Sequence, residues 1–152
     1  MRIVWCLLLC CCCCVYNYGQ GTAMEESSLI ASLERTTCYG NCPYYEIKIY
    51  KDGTAIYNGK KHVPYLGKHQ AKLSTQLVDQ ILKKADAIGY MSLNDKYPEQ
   101  GLGIIDFPVC ITSIQTNNGK KTIYNRNDSP QRLVEYENFF DELLENIKWE
   151  KL

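Results

Sequence analysis

Residues 44–57 read YYEIKIYKDGTAIY, and this stretch decides the fold. Apolar and charged side chains alternate from Tyr45 to Ile49, which predicts a half-buried β-strand. Asp52–Gly53 is a strong hairpin signal, and a second run, Thr54–Tyr57, follows it directly. The stretch therefore predicts an antiparallel hairpin.

Further strands flank this hairpin on both sides. Residues 29–34 alternate in part and predict the first strand of the domain. Asn58–Gly59 is a turn signal that predicts the end of the second hairpin strand, and residues 61–67 predict another strand.

A helix with clear boundary signals follows at Ser74, which is a suitable N-cap residue. Gly89 predicts its end, because glycine adopts the left-handed conformation that terminates helices. The apolar stripe has helical spacing and comprises Leu77, Val78, Ile81, Leu82, Ala85 and Ile88.

The order of elements then repeats. After a long loop over 90–107, residues 109–116 and 121–125 predict a second hairpin around Asn118–Gly119. Ser129–Pro130 predicts the start of a second helix, with the proline at its first position. Its apolar stripe comprises Leu133, Tyr136, Phe140, Leu143, Leu144 and Ile147, with Lys148 and Lys151 at its carboxyl end. The pattern predicts an α+β fold in hairpin–helix, hairpin–helix order, with an antiparallel sheet of four to six strands and both helices on one face.

The amino terminus indicates export. Arg2 precedes an apolar run too short to span a membrane comfortably, which is typical of a secretory signal. We assign residues 1–21 to a signal segment, 22–28 to a leader and 29–150 to one domain. The run Leu9–Cys12 is similar to a bacterial lipobox, so Cys12 is a possible lipidation site and a lipoprotein is the alternative to simple secretion.

The charge balance excludes one class of function. The 17 basic and 17 acidic residues balance, which argues against a nucleic-acid binder.

In an oxidising compartment the close pair Cys38 and Cys42 predicts a disulfide, whereas Cys110 lies within a predicted strand and is expected to be free and buried. Zinc ligation by Cys38 and Cys42 with His62 and His69 fits no common finger spacing, so we expect no metal and no cofactor.

The segment around the cysteine pair carries a family resemblance. Residues 33–45 read LERTTCYGNCPYY, and the later segments YKDGT, YNG and DFP support it. The chain resembles the bacterial domain of unknown function DUF6438, over residues 29 to 148. The resemblance implies exported proteins that are often lipoproteins, and it implies no activity.

We therefore expect a non-catalytic binding or envelope-associated module with an envelope or extracellular partner, no nucleic acid, and membrane contact only through a lipid anchor. The alternatives are a hydrolase that uses carboxylates of the long loop (Asp95, Glu99 or Asp106), and a thiol redox protein that uses Cys38 and Cys42. The oligomeric state stays open. The candidate binding residues are Tyr39, Tyr45, Asp106 and Pro108, although Arg35 and Asp106 could simply pair with each other.

Overall fold

A computed structural model describes residues 28–152 as a mixed α+β domain. The predicted signal segment, its Cys12, and all of the leader except Ser28 lie outside the described residues. The elements are β1 (Leu29–Arg35), β2 (Tyr44–Tyr50), β3 (Thr54–Lys61), β4 (Gly67–Lys72), α1 (Thr75–Ala87), β5 (Lys96–Tyr97), β6 (Cys110–Thr116), β7 (Gly119–Asn125), α2 (Gln131–Asn146) and β8 (Glu150–Lys151).

The sheet has eight strands in the order β5-β7-β6-β1-β2-β3-β4-β8. All neighbouring pairs are antiparallel except β5 and β7, which are parallel. The prediction of four to six strands was therefore too low, since both edges carry a two-residue strand that has no sequence pattern. The hairpin–helix order was also too simple, because a four-stranded meander precedes α1.

The central hairpin forms as predicted. Tyr45, Ile47 and Ile49 of β2 are buried, while the side chains between them are half-exposed. Gly53 adopts a positive φ of 85° in the turn, a conformation that glycine takes without steric cost. Alternation along one strand and the glycine turn together set the register of β2 against β3.

The boundary between β3 and β4 corrects the sequence prediction. Asn58 and Gly59 are paired inside β3, opposite Lys68 and Gly67, and do not end the strand. Most of the predicted strand at 61–67 is instead the turn, and β4 follows it. Gly59 is required here for a different reason, because a Cβ atom would come within 1.8 Å of the Tyr65 carbonyl oxygen.

Both helices lie where the capping signals place them. The Ser74 hydroxyl accepts a hydrogen bond from the Leu77 amide at 3.2 Å, and Gly89 beyond α1 has φ 66°. Pro130 is the N-cap of α2 and not its first helical residue, so this helix begins one residue later than predicted. Lys148 and Lys151 lie beyond the helix, since α2 ends at Asn146 and β8 follows. Neither helix of the described domain is long and apolar enough to cross a membrane.

One buried cluster joins the helices to the sheet. It contains alternate residues of the central strands, among them Leu33, Ile47 and Tyr57. It also contains buried apolar residues of both helices, such as Ile81 and Phe140, and Trp149, whose ring centroid lies 5.3 Å from that of Tyr57. Cys110 is a free, buried member of this cluster, as predicted.

Candidate functional site

Seven of the strands, β1 to β7, begin or end together at one end of the sheet, which we call the loop end. The register sets Arg35, the last residue of β1, opposite Tyr45 of β2 and Cys110 of β6. Since neighbouring strands are antiparallel, three connections between strands lie side by side at this end. They are the disulfide loop (residues 36–43), the β3–β4 turn (residues 62–66) and the β5–β6 loop (residues 98–109).

The disulfide loop is closed and tied to its neighbour. Cys38 and Cys42 form the predicted disulfide, with their Cα atoms 5.7 Å apart. The Thr36 amide donates to the Val109 carbonyl at 2.9 Å, and the Val109 amide donates to the Thr36 hydroxyl at 2.7 Å. Tyr39, at the tip of the ring, is 94% exposed. The ring therefore presents an aromatic side chain on a constrained backbone.

Exposed apolar side chains concentrate at the loop end. Isolated apolar residues are normal on a protein surface, whereas a local concentration indicates an interaction site. Ten large apolar side chains of the described residues are exposed. Seven of them belong to the three loops: Tyr39, Tyr65, Leu66, Leu102, Ile104, Ile105 and Phe107.

Beneath these loops, four adjacent strands place a row of polar side chains on the side of the sheet that faces α2. Asn125, Cys110, Arg35 and Tyr45 are successive register partners across β7, β6, β1 and β2. One step further along β7, β1 and β2, the same face carries buried apolar residues such as Leu33. We call these four residues the polar row.

Two carboxylates of α2, four residues apart, lie over the polar row. Asp141 accepts from Arg35 Nε at 3.1 Å and from Arg35 Nη2 at 2.8 Å, and it also accepts the hydroxyl of Tyr45. Both oxygens of Glu137 accept from Asn125 Nδ2, at 3.0 and 2.9 Å. A spacing of four puts both acids on one side of the helix, so α2 is fastened across four strands.

Burial determines the protonation of this cluster. Burial, with a smaller contribution from the Glu137 charge, raises the pKa of the Cys110 thiol well above its usual value. Burial likewise raises the pKa of Glu137 to about 7, although the Asn125 hydrogen bond acts in the opposite direction. Nucleophilic cysteines are thiolates with a lowered pKa. The cluster therefore holds α2 against the sheet and does not activate Cys110 as a nucleophile.

A family model described as a domain of unknown function, DUF6438, matches residues 30–144. The chain belongs to the DUF6438 family. The comparison with curated proteins and the comparison with solved structures found no match. The match extends from β1 through most of α2, so it includes the polar row, both carboxylates above it and all three loops.

The candidate binding residues of this DUF6438 domain separate into two groups. Tyr39, Asp106 and Pro108 lie in the disulfide loop and the adjoining β5–β6 loop, with Asp106 exposed and Pro108 half-buried. Tyr45 instead lies in the core and directs its hydroxyl to Asp141, so it does not belong to the surface. The alternative pairing of Arg35 with Asp106 is wrong, because Arg35 pairs with Asp141.

The carboxylates considered for hydrolysis do not converge. Asp95 forms an ion pair with Lys121, and Asp106 is exposed in the β5–β6 loop. Glu99 lines an open cavity of about 460 Å³ together with Asp128, and both residues are exposed. Solvated carboxylates lack the environment that separates a catalytic acid from a catalytic base.

The candidate zinc ligands also lie apart. Cys38 and Cys42 are joined to each other, His62 is exposed, and His69 is buried beside the rings of Tyr57 and Tyr65. Within residues 28–152 no three His, Cys, Asp or Glu side chains are grouped so that they could hold a metal ion.

Two residues of the cluster, Glu137 and Asp141, were not predicted from the sequence. The available signal was their position directly beside Tyr136 and Phe140, which belong to the apolar stripe of the helix. Charged residues so close to a buried stripe are expected to need partners. The exposed apolar residues of the β5–β6 loop were missed because that loop lacks periodicity.

Proposed function

We propose that this chain is an exported, non-catalytic binding module and that the loop end is its binding surface. The proposal keeps Tyr39, Asp106 and Pro108 as binding residues. It adds the exposed apolar residues of the three loops and removes Tyr45.

The concentration of exposed apolar side chains carries this proposal. Three loops that are distant in sequence each place such residues at the same end of the sheet. Large apolar side chains exposed to water are unfavourable in the free protein, and burying them against a partner stabilises the complex. A ring closed by a disulfide holds Tyr39 in place, which lowers the entropic cost of binding.

Export is supported by the apolar segment near the amino terminus and by the disulfide. Cys38 and Cys42 lie in an exposed loop, where a reducing compartment would keep them as thiols. Secretion and lipidation at Cys12 both remain compatible with this proposal.

The proposal also takes both helices to cover one face of the sheet. In support, buried apolar residues of α1 and α2 share one cluster with alternate residues of the central strands. In this arrangement α2 packs beneath the three loops through Asp141 and Glu137. The helices therefore leave the outer surface of the loops uncovered.

Site-specific photo-crosslinking tests the proposal in intact cells that export the protein. A benzophenone amino acid replaces Tyr39 in one variant and Met91 in the other. Met91 is the matched control, because it is also exposed but lines a groove with Thr116 at the opposite end of β6. We expect adducts from position 39 and few from position 91.

Two results would contradict the proposal. Adducts from position 91 without adducts from position 39 would place binding elsewhere. The absence of adducts at both positions, with full-length protein recovered outside the cytosol, would remove the loop end as a binding surface. Fractionation of the same cells tests export separately.

A further inference from the structure

We propose that part of the leader, residues 22–27, lies in an apolar groove of its own domain. The groove runs beside α1 at the end of the sheet opposite the loop end, and we call it the α1 groove. Residues 22–27 lie outside the described residues, whereas every residue that lines the groove is described. The inference does not depend on the binding role proposed for the loop end.

The α1 groove is a cavity of about 860 Å³. Its apolar lining includes Val78, Leu82 and Ala85 of α1, Leu29 and Ile30 of β1, and Ile114 of β6. Leu29, Ile30 and Leu82 are only half-buried, and Met91, another lining residue, is 44% exposed. Covering such side chains is favourable, and a cavity of this size is typical of a binding site.

The chain enters the described domain at the rim of this groove. The Ser28 carbonyl accepts a hydrogen bond from the Lys51 amide at 2.8 Å, and both Lys51 and Leu29 line the groove. Ser28 itself has a 3₁₀ conformation, so the chain bends immediately before β1 and does not simply extend the strand. The leader is therefore attached beside the surface that it is proposed to cover.

The leader is long enough to follow the helix. Residues 22–27 span at most about 20 Å when extended, and Met24 can lie up to about 14 Å from Ser28. The 13 residues of α1 form a helix about 20 Å long. The leader can therefore run along most of α1 without any rearrangement of the domain.

The apolar residues of the leader suit the groove. Ala23 and Met24 are adjacent, and methionine has a flexible side chain that fills irregular apolar gaps. Because the leader is covalently attached, it has a high effective concentration at the groove and loses little freedom on docking. A free molecule of the same chemistry lacks this advantage, which favours the leader as the occupant.

Charge places the leader but does not select it. The charged lining residues are two cations and two acids, all exposed: Lys51, Lys83, Asp79 and Asp86. Their charges balance, so the lining attracts neither sign overall. The two acids of the leader, Glu25 and Glu26, directly follow Met24 and lie close to Ser28 in sequence, which keeps them near Lys51.

A docked leader has a consequence for an anchored form of the protein. The α1 groove and Tyr39 lie at opposite ends of β1, because β1 starts at Leu29 and ends at Arg35 before the disulfide loop. A lipid on Cys12 would then attach the domain by the end that carries the groove. The loop end would face away from the membrane.

Photo-crosslinking within the purified exported protein tests the inference. A benzophenone amino acid replaces Met24, which is retained whether the mature chain starts at Cys12 or after the predicted signal segment. We expect a crosslinked monomer in which position 24 is joined to a tryptic peptide of the groove wall. The two such peptides are residues 73–83 and 85–96.

Leu82→Asp and Gln80→Asp, each combined with the probe at position 24, form a matched pair. Leu82 lines the groove, whereas Gln80 is exposed on the same helix and does not line it. The yield of the crosslink should fall at least about fivefold in Leu82→Asp, because an aspartate is unfavourable under an apolar cover. It should stay at the parent level in Gln80→Asp. Circular dichroism checks that both variants keep the fold.

Four outcomes would overturn the inference. Crosslinks that are absent or that fall outside the two peptides would place the leader elsewhere. Equal yields in Leu82→Asp and Gln80→Asp would show that the groove does not hold the leader. Covalent dimers joined from position 24 would assign the groove to the leader of a second copy. A small molecule that native mass spectrometry finds bound to the parent protein, but not to Leu82→Asp, would assign it to an apolar ligand.

Discussion

Glu137 is a carboxylate with only 3% of its surface exposed, placed on α2 directly over the polar row. Asn125 donates to both of its oxygens, and the Cys110 thiol hydrogen-bonds to it as well. Arg35 and Asp141 lie close enough to act on its charge in opposite directions. Desolvation outweighs the favourable contacts, so Glu137 takes up a proton more readily in the folded domain than in the unfolded chain.

This position predicts a pH-dependent stability. Burial raises the pKa of Glu137 from 4.5 to about 7, so between these values the folded state binds more protons than the unfolded state. Stability from this group is therefore complete below about pH 4.5 and is lost as pH rises to about 7, by up to roughly 3 kcal/mol. Glu137→Gln should remove this loss and be more stable than the parent protein at pH 8. Urea unfolding at pH 5 and pH 8 measures the difference.

Glu135→Gln is the control for this prediction, since Glu135 is exposed on the same helix. It should leave the pH dependence unchanged. The glutamine at 137 keeps an oxygen for Asn125 and adds an amide that can reach Asn125 Oδ1, a buried atom without a partner among the described residues. Equal pH dependence in the parent protein and in Glu137→Gln would show that Glu137 is ionised in the folded domain.

At the scale of elements, prediction succeeded where a local chemical signal marks a boundary. The Ser74 cap, Gly53 and the alternation of β2 act within a few residues, and the structure has α1 and the central hairpin where they indicate. Prediction failed where a tertiary contact decides. Gly59 resembles a turn residue but is a site of close backbone approach, and β8 forms only because the chain after α2 reaches β4.

Gly59 gives a direct test of this distinction. A Cβ atom at this position would lie 1.8 Å from the Tyr65 carbonyl oxygen and 2.9 Å from the Tyr57 ring. Backbone must shift to relieve such a contact, so Gly59→Ala should lower the free energy of unfolding by at least about 2 kcal/mol. Gly40→Ala is the control, since its Cβ would meet only Cys38 Sγ at 3.9 Å. Equal urea midpoints for the two variants would mean that the β3–β4 turn adapts freely.

At the scale of the whole molecule, the binding surface depends on strand order. Tyr39, Tyr65 and Ile105 are far apart in sequence, and no local pattern relates their positions. They share one end because β1, β3 and β6 are brought side by side with β2 in an antiparallel sheet. The cysteine motif pointed to one of the three loops, while the other two could be found only once the sheet order was known.

The disulfide should therefore matter more for binding than for folding. Cys38→Ser with Cys42→Ser opens a five-residue ring, and loop entropy for so small a ring corresponds to about 2 kcal/mol of stability. The core should persist, because Tyr39 and its ring lie outside the buried cluster. Binding at the loop end should nevertheless weaken at least about tenfold, since Tyr39 must then be ordered at the moment of binding.

Ile81→Val separates these two effects. Ile81 is fully buried on α1, and its substitution should lower stability by about 1 kcal/mol while binding at the loop end stays unchanged. Urea unfolding measures the stability of both variants, and the yield of photo-crosslinked adducts from position 39 measures their binding. If the cysteine double variant keeps the parent yield of adducts while losing stability, the ring supports the fold alone. If instead the yield of adducts falls in that variant and holds in Ile81→Val, the ring acts by fixing the residue at position 39 at the centre of the loop end, where a partner would meet it first.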